Sequence, residues 1–249
     1  QSIKGIGFDA TCSLVLIDAS GEPVSVDANG EDAKNIVVWM DHRALEETSF
    51  INSFKETYSA FNFVGGRISP EMQLPKLLWL KKHLPKSWNR VAHFFDLPDY
   101  LTFRATGSTG RSLCSLSCKW TYDKNSESGS GWDAGLLRAI GLEDLSKDAF
   151  ALIGRSDSVH PMGSPVGEGL SEDSAKEMGL LKGTPVGVSI IDAHAGGIGM
   201  LGFKEFTKKG IEAPIDFNKR LALIGGTSSC HMAVSEEARF IEGVWGPYD

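Results

Sequence analysis

The chain has 249 residues, of which 41% are hydrophobic and 23% charged, and its formal net charge is −7 at pH 7. This balance is typical of a globular protein with a sizeable core. The negative charge, without a basic stripe carrying interleaved aromatic residues, argues against a nucleic-acid partner. No apolar run reaches the length of a membrane span, so we expect no membrane association.

The four cysteines, Cys12, Cys114, Cys118 and Cys230, are too few for a disulfide scaffold in a chain of this length. With no secretory signal evident, we expect a reducing, cytoplasmic location. Cys114 and Cys118 would share one face of a helix. No nearby residues complete a set of four zinc ligands, so we expect buried free thiols there.

The first half of the chain alternates between strand and helix patterns. Apolar runs rich in β-branched residues predict strands, and mixed residues at helical spacing predict helices. The predicted strands cover 3–8, 13–18, 35–40 and 91–97, and the predicted helices cover 44–58, 75–83 and 98–105. This alternation predicts an α/β protein.

In the second half, residues 121–131 are polar and predict a mobile surface loop. Residues 156–169 are punctuated by proline and glycine and predict an extended hairpin. Ser171 and the acidic residues after it predict the start of a short helix.

Residues 184–202 carry the strongest functional signal. The apolar run that ends at Ile191 predicts a buried strand, and Asp192 follows directly, before small residues that open a helix. A carboxylate at a strand end beside a helix start faces the crevice where α/β sheets bind ligands. The alternative is that Asp192 only caps the helix.

A second run, 221–224, predicts another buried strand, and it breaks into the sequence GGTSS. Glycines followed by hydroxyl residues offer backbone N–H groups and hydroxyl donors together, which suits a phosphate. The same sequence also suits an ordinary hairpin turn.

Polar groups stand at five predicted strand ends, namely Asp9, Asp41, Asp96, Asp192 and Thr227, and most of them should be structural caps. Lys119 lies among small residues, and this composition indicates a solvated surface lysine. His194 and His231 flank the proposed site, where a lone histidine is more often structural than catalytic. Sequence patterns for a P-loop, a dinucleotide-binding loop and a nucleophile elbow are all missing.

Taken together, ordered segments of the chain resemble the FGGY family of carbohydrate kinases, closest to its ribulokinase branch. The segments are GFDATCSLVLID, WMDHRA, PEMQLPKLLWL, FFDLPDYLTFRATG, SLCSLSCKW, IDAHAGG and GGTSSCH. The resemblance spans nearly the whole chain. It implies an actin-like, ribonuclease H-like α/β fold and ATP-dependent phosphorylation of a sugar, with ATP and Mg²⁺ as cofactors.

The resemblance also implies a place in the family's architecture. Residues 1–249 match the N-terminal, sugar-binding domain of a two-domain kinase. The family's opening phosphate hairpin and its C-terminal ATP-binding domain are expected outside this segment. We therefore expect the segment alone to be inactive.

By the same resemblance, Asp192 matches the catalytic base that takes the proton of the sugar's primary hydroxyl, and it contacts the substrate. Ala10, Thr11 and Lys119 match sugar contacts, which replaces the surface interpretation of Lys119. The matching phosphate-loop residues are Gly226, Thr227 and Ser228. The family's W-x-D-x-R block is met by Trp39, Asp41 and Arg43, which we assign mainly to holding the loop on the sugar side.

The expected substrate is a pentulose, D-ribulose first, giving D-ribulose 5-phosphate. L-ribulose, D-xylulose or a sugar alcohol are alternatives within the family, because the contacts that fix stereochemistry cannot be placed. A non-catalytic sugar-binding or interaction module, such as a truncated isoform, is the alternative of another class. A homodimer is possible.

Overall fold

The computed structural model describes residues 2–204, 215–226 and 229–248. The strands are β1 (Asp9–Ala10), β2 (Leu14–Ile17), β3 (Ile36–Val37), β4 (His93–Asp96), β5 (Arg111–Ser112), β6 (Val159–His160), β7 (Ile190–Ile191), β8 (Leu221–Gly225) and β9 (Ser229–Ala233). The helices are α1 (Leu45–Asn52), α2 (Gln73–His83), α3 (Pro85–Trp88), α4 (Leu97–Thr106), α5 (Leu113–Trp120), α6 (Ala134–Ala139), α7 (Glu172–Met178) and α8 (Asp192–Leu201). Short 3₁₀ turns connect several of these elements.

The strands pair in both directions, as a mixed α/β fold requires. β2 lies between β3 and β4 in an antiparallel sheet, whereas β1 pairs with β7 in parallel. A bridge from Ile6 to Val186 extends the β1–β7 ladder toward the start of the chain. Because β1 runs through Thr11 and Ser13 into β2, the two sheets adjoin at the β1–β2 connection.

The main core lies between the antiparallel sheet and helices α2 and α5. Leu14 and Leu16 alternate with Val15 and Ile17, and all four are fully buried, since both faces of β2 are covered. Leu77 and Phe94 join the same cluster as Leu14 and Leu16, whereas Val15 and Ile17 pack against Phe95 on the opposite face.

Several predicted elements are confirmed, including β2, α2 with Pro75 in its first turn, β4 and α4. Ser171 caps α7 by accepting a hydrogen bond from the Ser174 N–H at 3.2 Å. The predicted first strand over 3–8 is wrong, however: β1 is Asp9–Ala10, and within 3–8 only Ile6 forms a bridge, to Val186, so Asp9 lies inside β1 rather than after a strand.

Three further predictions differ from the structure in detail. Residues 156–169 do not form a hairpin, because β6 pairs in parallel with β5 and Pro165 bridges to Gly187. Residues 121–131 form a loop without helix or strand, but Tyr122 is buried against Trp132, with ring centroids 5.1 Å apart. β8 is not a buried strand. Ala222 is buried, while Leu223 on the opposite face is 59% exposed.

Among the described residues, no helix has the length and apolar character needed to cross a lipid bilayer.

Candidate active site

The parallel pairing of β1 and β7 brings the first two predicted site segments together. Ala10 pairs with Ile191, so Thr11 and Asp192 leave the ladder side by side at its carboxyl end. This is the edge at which α/β sheets bind ligands. The sequence predicted each strand end separately, and the register makes them neighbours.

Asp192 is the first residue of α8, and the preceding Ile191 occupies the cap position without a side-chain capping bond. The Asp192 Oδ1 accepts a hydrogen bond from the Ala193 N–H at 2.8 Å. The carboxylate is exposed and lies at the helix N-terminus, where the peptide dipoles favour negative charge. An exposed carboxylate in this position remains accessible to a ligand.

Lys119 reaches the same region from the last turn of α5. Cys114 and Cys118 on that helix are buried against Ile191 of β7, together with Cys12. This confirms that the two thiols share a buried helix face, and all the described cysteines are free. Lys119 is only partly exposed, so it is not the solvated lysine that its composition suggested.

The ammonium of Lys119 lies over an aromatic ring from the far end of the chain. Its Nζ is 4.8 Å from the ring centroid of Trp245, within the range of a cation–π interaction. Trp245 is brought there by an antiparallel bridge to Val64 and by the Gly246 N–H, which donates to the Phe63 carbonyl at 2.8 Å. Sequence reasoning missed Trp245, because no local pattern links it to Lys119.

His194 lies in the first turn of α8, two residues after Asp192. The Cys114 Sγ is 3.0 Å from its Nδ1. Burial lowers the pKa of His194, the nearby positive charge of Lys119 lowers it further, and Asp192 opposes the shift. Burial raises the pKa of Cys230. The charge of Lys119 acts to lower this pKa, and the charge of Asp192 acts to raise it. Cys118 and Ile191, the chain neighbours of Lys119 and Asp192, pack in one buried cluster, so the two charged residues lie in the same region.

The β8–β9 hairpin carries the predicted phosphate loop. Gly225 pairs with Ser229 in this antiparallel pair of strands, and the exposed Gly226 follows β8 directly. Thr227 and Ser228 lie outside the described residues.

Helix α8 packs on this hairpin through glycines, which allow close approach. A Cβ at Gly196 would lie 3.1 Å from the Ile224 side chain, and one at Gly197 would lie 2.7 Å from the Met232 sulfur. Gly196 is one helical turn from Asp192, and Ile224 is next to the hairpin turn. Arg220, which precedes β8, donates to the Leu201 carbonyl at the other end of α8 at 2.7 Å, so Gly225 lies toward the Asp192 end of the helix.

The W-x-D-x-R block forms a braced loop after β3. Arg43 binds Asp41 with two nitrogens, at 2.9 and 2.7 Å, and its guanidinium lies over the Trp79 ring. Burial acts to raise the pKa of Asp41, but the hydrogen bonds from Arg43 outweigh it and lower the pKa. The Trp39 N–H donates to the Ser13 Oγ at 3.1 Å, which ties the block to the start of β2.

Lys76 is a second residue that sequence reasoning missed. It lies on α2, is buried, and donates from Nζ to the Trp39 carbonyl at 2.8 Å. Burial lowers the pKa of Lys76 to about 8, and the charge of Lys119 acts in the same direction. Its position within a helical PKLLWL pattern gives no sign that the side chain turns inward to hold a loop.

This arrangement suits the transfer of a group to a hydroxyl. A carboxylate at a helix start can orient and deprotonate a hydroxyl, and a neighbouring ammonium can bind hydroxyl and carbonyl oxygens. A glycine turn at the same edge can approach an anion closely.

Comparison with known proteins identifies the family. Residues 1–199 match the family described as FGGY family of carbohydrate kinases, N-terminal domain. The chain belongs to this family, as the ordered sequence segments predicted.

Similar curated proteins include an FGGY carbohydrate kinase domain-containing protein of Danio rerio, which is 52% identical over 99% of this chain and 44% of its own length. The human protein of the same description is 47% identical over 100% of this chain and 44% of its own length. A D-ribulokinase of Saccharomyces cerevisiae is 41% identical over 100% of this chain and 36% of its own length. The chain thus spans less than half the length of these relatives.

Solved structures establish the fold. The xylulose kinase from Rhodospirillum rubrum matches with a TM-score of 0.68 at 16% identity, over 96% of this chain and 44% of its own. Plasmodium falciparum glycerol kinase with ADP matches with a TM-score of 0.54 at 17% identity, over 81% of this chain and 37% of its own. The predicted actin-like α/β fold is confirmed.

Proposed function

We propose that the chain is the sugar-binding part of an ATP-dependent pentulose kinase that converts D-ribulose to D-ribulose 5-phosphate. The family membership of residues 1–199 supports a carbohydrate kinase. The similarity to a D-ribulokinase over the whole chain favours D-ribulose among the possible sugars. The observation that carries the proposal is that Cys12, Cys118 and Ile191, the chain neighbours of Thr11, Lys119 and Asp192, pack in one buried cluster beside the end of the β1–β7 ladder.

In this proposal Asp192 is the general base. The primary hydroxyl oxygen of the sugar forms a bond to the γ-phosphorus of ATP, the bond from that phosphorus to ADP breaks, and the hydroxyl proton passes to the Asp192 carboxylate. Lys119 donates hydrogen bonds to sugar oxygens. Ala10 and Thr11 form the other wall of the sugar site, next to Asp192.

We assign the phosphate loop to Gly226, Thr227 and Ser228. The position of Gly226 directly after β8, whose end lies toward the Asp192 end of α8, supports this assignment. ATP would supply the phosphoryl group as the second substrate. Mg²⁺ would balance the phosphate charge, which the net charge of −7 on this chain would otherwise repel.

We further propose that activity requires this chain together with an ATP-binding domain, a combination called here the complete kinase. The coverage of less than half of each relative named above supports this division. A cytoplasmic location fits the free cysteines.

The test is a panel of pentuloses and polyols with ATP and Mg²⁺, run on the complete kinase and on the 249-residue chain. We expect D-ribulose to give the highest kcat/KM with the complete kinase and no turnover with the chain alone. Preference for L-ribulose, D-xylulose or a polyol would reassign the substrate. Sugar binding without turnover by the complete kinase would favour a non-catalytic sugar-binding module.

A further inference from the structure

Asp96, at the end of β4, is a buried carboxylate that joins two parts of the candidate site. It is 1% exposed. Its Oδ1 accepts a hydrogen bond from Gln73 Nε2, and its Oδ2 accepts one from Trp120 Nε1 at 2.6 Å. Gln73 and Trp120 are also buried. Each donor comes from a different helix, so Asp96 ties α2 to the end of α5.

Both donors lead directly to residues proposed to bind the sugar. The Gln73 Nε2 also donates to the Cys12 carbonyl at 2.9 Å, and Cys12 follows Thr11 in the chain. Trp120 follows Lys119 at the end of α5. The sequence of contacts from Cys12 through Gln73, Asp96 and Trp120 therefore spans the gap between the two walls of the sugar site.

Burying an ionisable group in a core costs free energy. A buried carboxylate loses its hydration, and well-packed apolar groups of similar volume are often as stable or more so. What a carboxylate offers is two directed acceptors at a fixed separation. The indole and amide donors use both acceptors here.

We propose that Asp96 is a positioning residue that fixes Lys119 relative to the Ala10–Thr11 segment, and that it thereby sets the affinity for the sugar. This proposal rests on the proposed function, because it assumes that both segments contact sugar. Asp96 acts through Trp120 and Gln73, without touching the substrate itself.

The chain offers a matched control for this role. Asp144 accepts a hydrogen bond from the Trp88 Nε1 at 2.8 Å and pairs with Lys81. It is the same kind of indole–carboxylate contact, and its partners lie on α2 and α3, outside the candidate site. Asp144→Asn perturbs such a contact without reaching Lys119.

The first measurement is the KM for D-ribulose and for ATP in Asp96→Asn and Asp144→Asn variants of the complete kinase. Asn can accept from one of the two donors, but its amide group would face the other. We expect Asp96→Asn to raise the sugar KM about tenfold, the lower range for a hydrogen bond to a charged group, with the ATP KM unchanged. Asp144→Asn should change neither value.

A double-mutant cycle separates positioning from general destabilisation. If Asp96 acts through Lys119, Asp96→Asn should raise the sugar KM less than about twofold further when Lys119 is already alanine. Equal effects of Asp96→Asn in both backgrounds would overturn the proposal.

A second measurement needs no sugar and therefore stands apart from the proposed function. Reductive methylation with ¹³C-formaldehyde labels Lys119, and comparison with Lys119→Arg assigns its methyl resonance. The Trp245 ring should displace this resonance through its ring current. We expect Asp96→Asn and Trp120→Phe to move the resonance and Asp144→Asn to leave it in place.

An unmoved Lys119 resonance in folded Asp96→Asn and Trp120→Phe would overturn the positioning role, whatever the sugar assays give. If both variants fail to fold while Asp144→Asn folds, Asp96 is a stability element and the proposal is also overturned. If wild-type complete kinase uses no sugar but the resonance moves as expected, the proposed function fails and the bridge to Lys119 stands.

Discussion

The ammonium of Lys119 lies 4.8 Å from the centre of the Trp245 ring, although the two residues are far apart in the chain. The ring covers one side of the ammonium, and Trp245 itself packs against the buried cluster that contains Cys118. An ammonium held in this way has fewer orientations to lose when it binds a ligand.

Lys119→Ala should weaken sugar use by the complete kinase and leave the KM for ATP little changed. Removing one hydrogen bond from a charged group costs about 1.5–3 kcal/mol, which corresponds to roughly a ten- to hundredfold fall in kcat/KM for D-ribulose. Steady-state kinetics with each substrate varied in turn measure both quantities. An unchanged kcat/KM for every sugar in the panel would mean that Lys119 has no sugar contact.

The position of the segment that carries Trp245 can be tested by substitution of two adjacent glycines. Gly65 and Gly66 both have positive φ, of 66° and 87°, so alanine is strained at either position. A Cβ at Gly65 would also lie 2.7 Å from the Val244 backbone nitrogen, whereas a Cβ at Gly66 meets nothing within 4 Å. The pair therefore separates backbone strain from displacement of the segment that carries Trp245.

We expect Gly65→Ala to lower the free energy of unfolding by about 1–3 kcal/mol more than Gly66→Ala does, because overpacking adds to the shared strain. Only Gly65→Ala should raise the KM for D-ribulose. Urea unfolding and steady-state kinetics measure the two effects. Equal behaviour of the two variants would show that the Val244 contact does not hold Trp245 in place.

The strand ends near Asp192 and Asp96 are predictable from local apolar runs, whereas the ends of β1 and β3 are not. The apolar run before Asp192 and the apolar run before Asp96 each stop where the structure ends a strand. The run before Gly225 also ends at the right place, yet its burial was predicted wrongly. A local apolar run cannot reveal that α8 covers only the Ala222 face of that strand.

The parts of the site that escaped prediction depend on contacts between distant residues. Lys76 and Trp245 carry no local signal, because their partners are Trp39 and Lys119. Asp96 was recognised as a strand-end carboxylate, but the sequence pattern could not show which donors it meets. Tyr122 was placed in a mobile loop because its neighbours are polar, whereas the Trp132 ring buries it.

The stability of the fold should depend on pH through Asp96. Burial raises the pKa of Asp96 to about 7, and the neighbouring charge of Asp99 adds to this, although hydrogen bonds from Trp120 and Gln73 oppose it. An unfolded aspartate has a pKa of about 3.9. The folded state therefore binds this proton more tightly than the unfolded chain does. The contribution of Asp96 protonation to the free energy of unfolding is complete below about pH 4 and is lost as the pH rises through about 7.

The measurement is the difference in free energy of unfolding between wild type and Asp96→Asn at several pH values from 5 to 8. Wild type should lose stability relative to Asp96→Asn as the pH rises over this range. Hydrogen bonds from Lys81 and Trp88 outweigh burial and lower the pKa of Asp144, so the corresponding difference for Asp144→Asn should stay flat. A flat difference for Asp96→Asn would contradict a buried carboxyl group that titrates near neutrality.

The proposed role of Asp192, to take the proton of the sugar hydroxyl, can be tested with the single substitution Asp192→Asn. Asn keeps the size of the side chain and can still accept the hydrogen bond from the Ala193 N–H, but it cannot take a proton at neutral pH. The measurement is kcat of the complete kinase at saturating D-ribulose and ATP, together with the melting temperature. We predict a fall in kcat of at least about a hundredfold, with sugar binding and melting temperature preserved. Near-normal turnover in a folded Asp192→Asn variant would contradict it, and Asp9 would be the next candidate for the base.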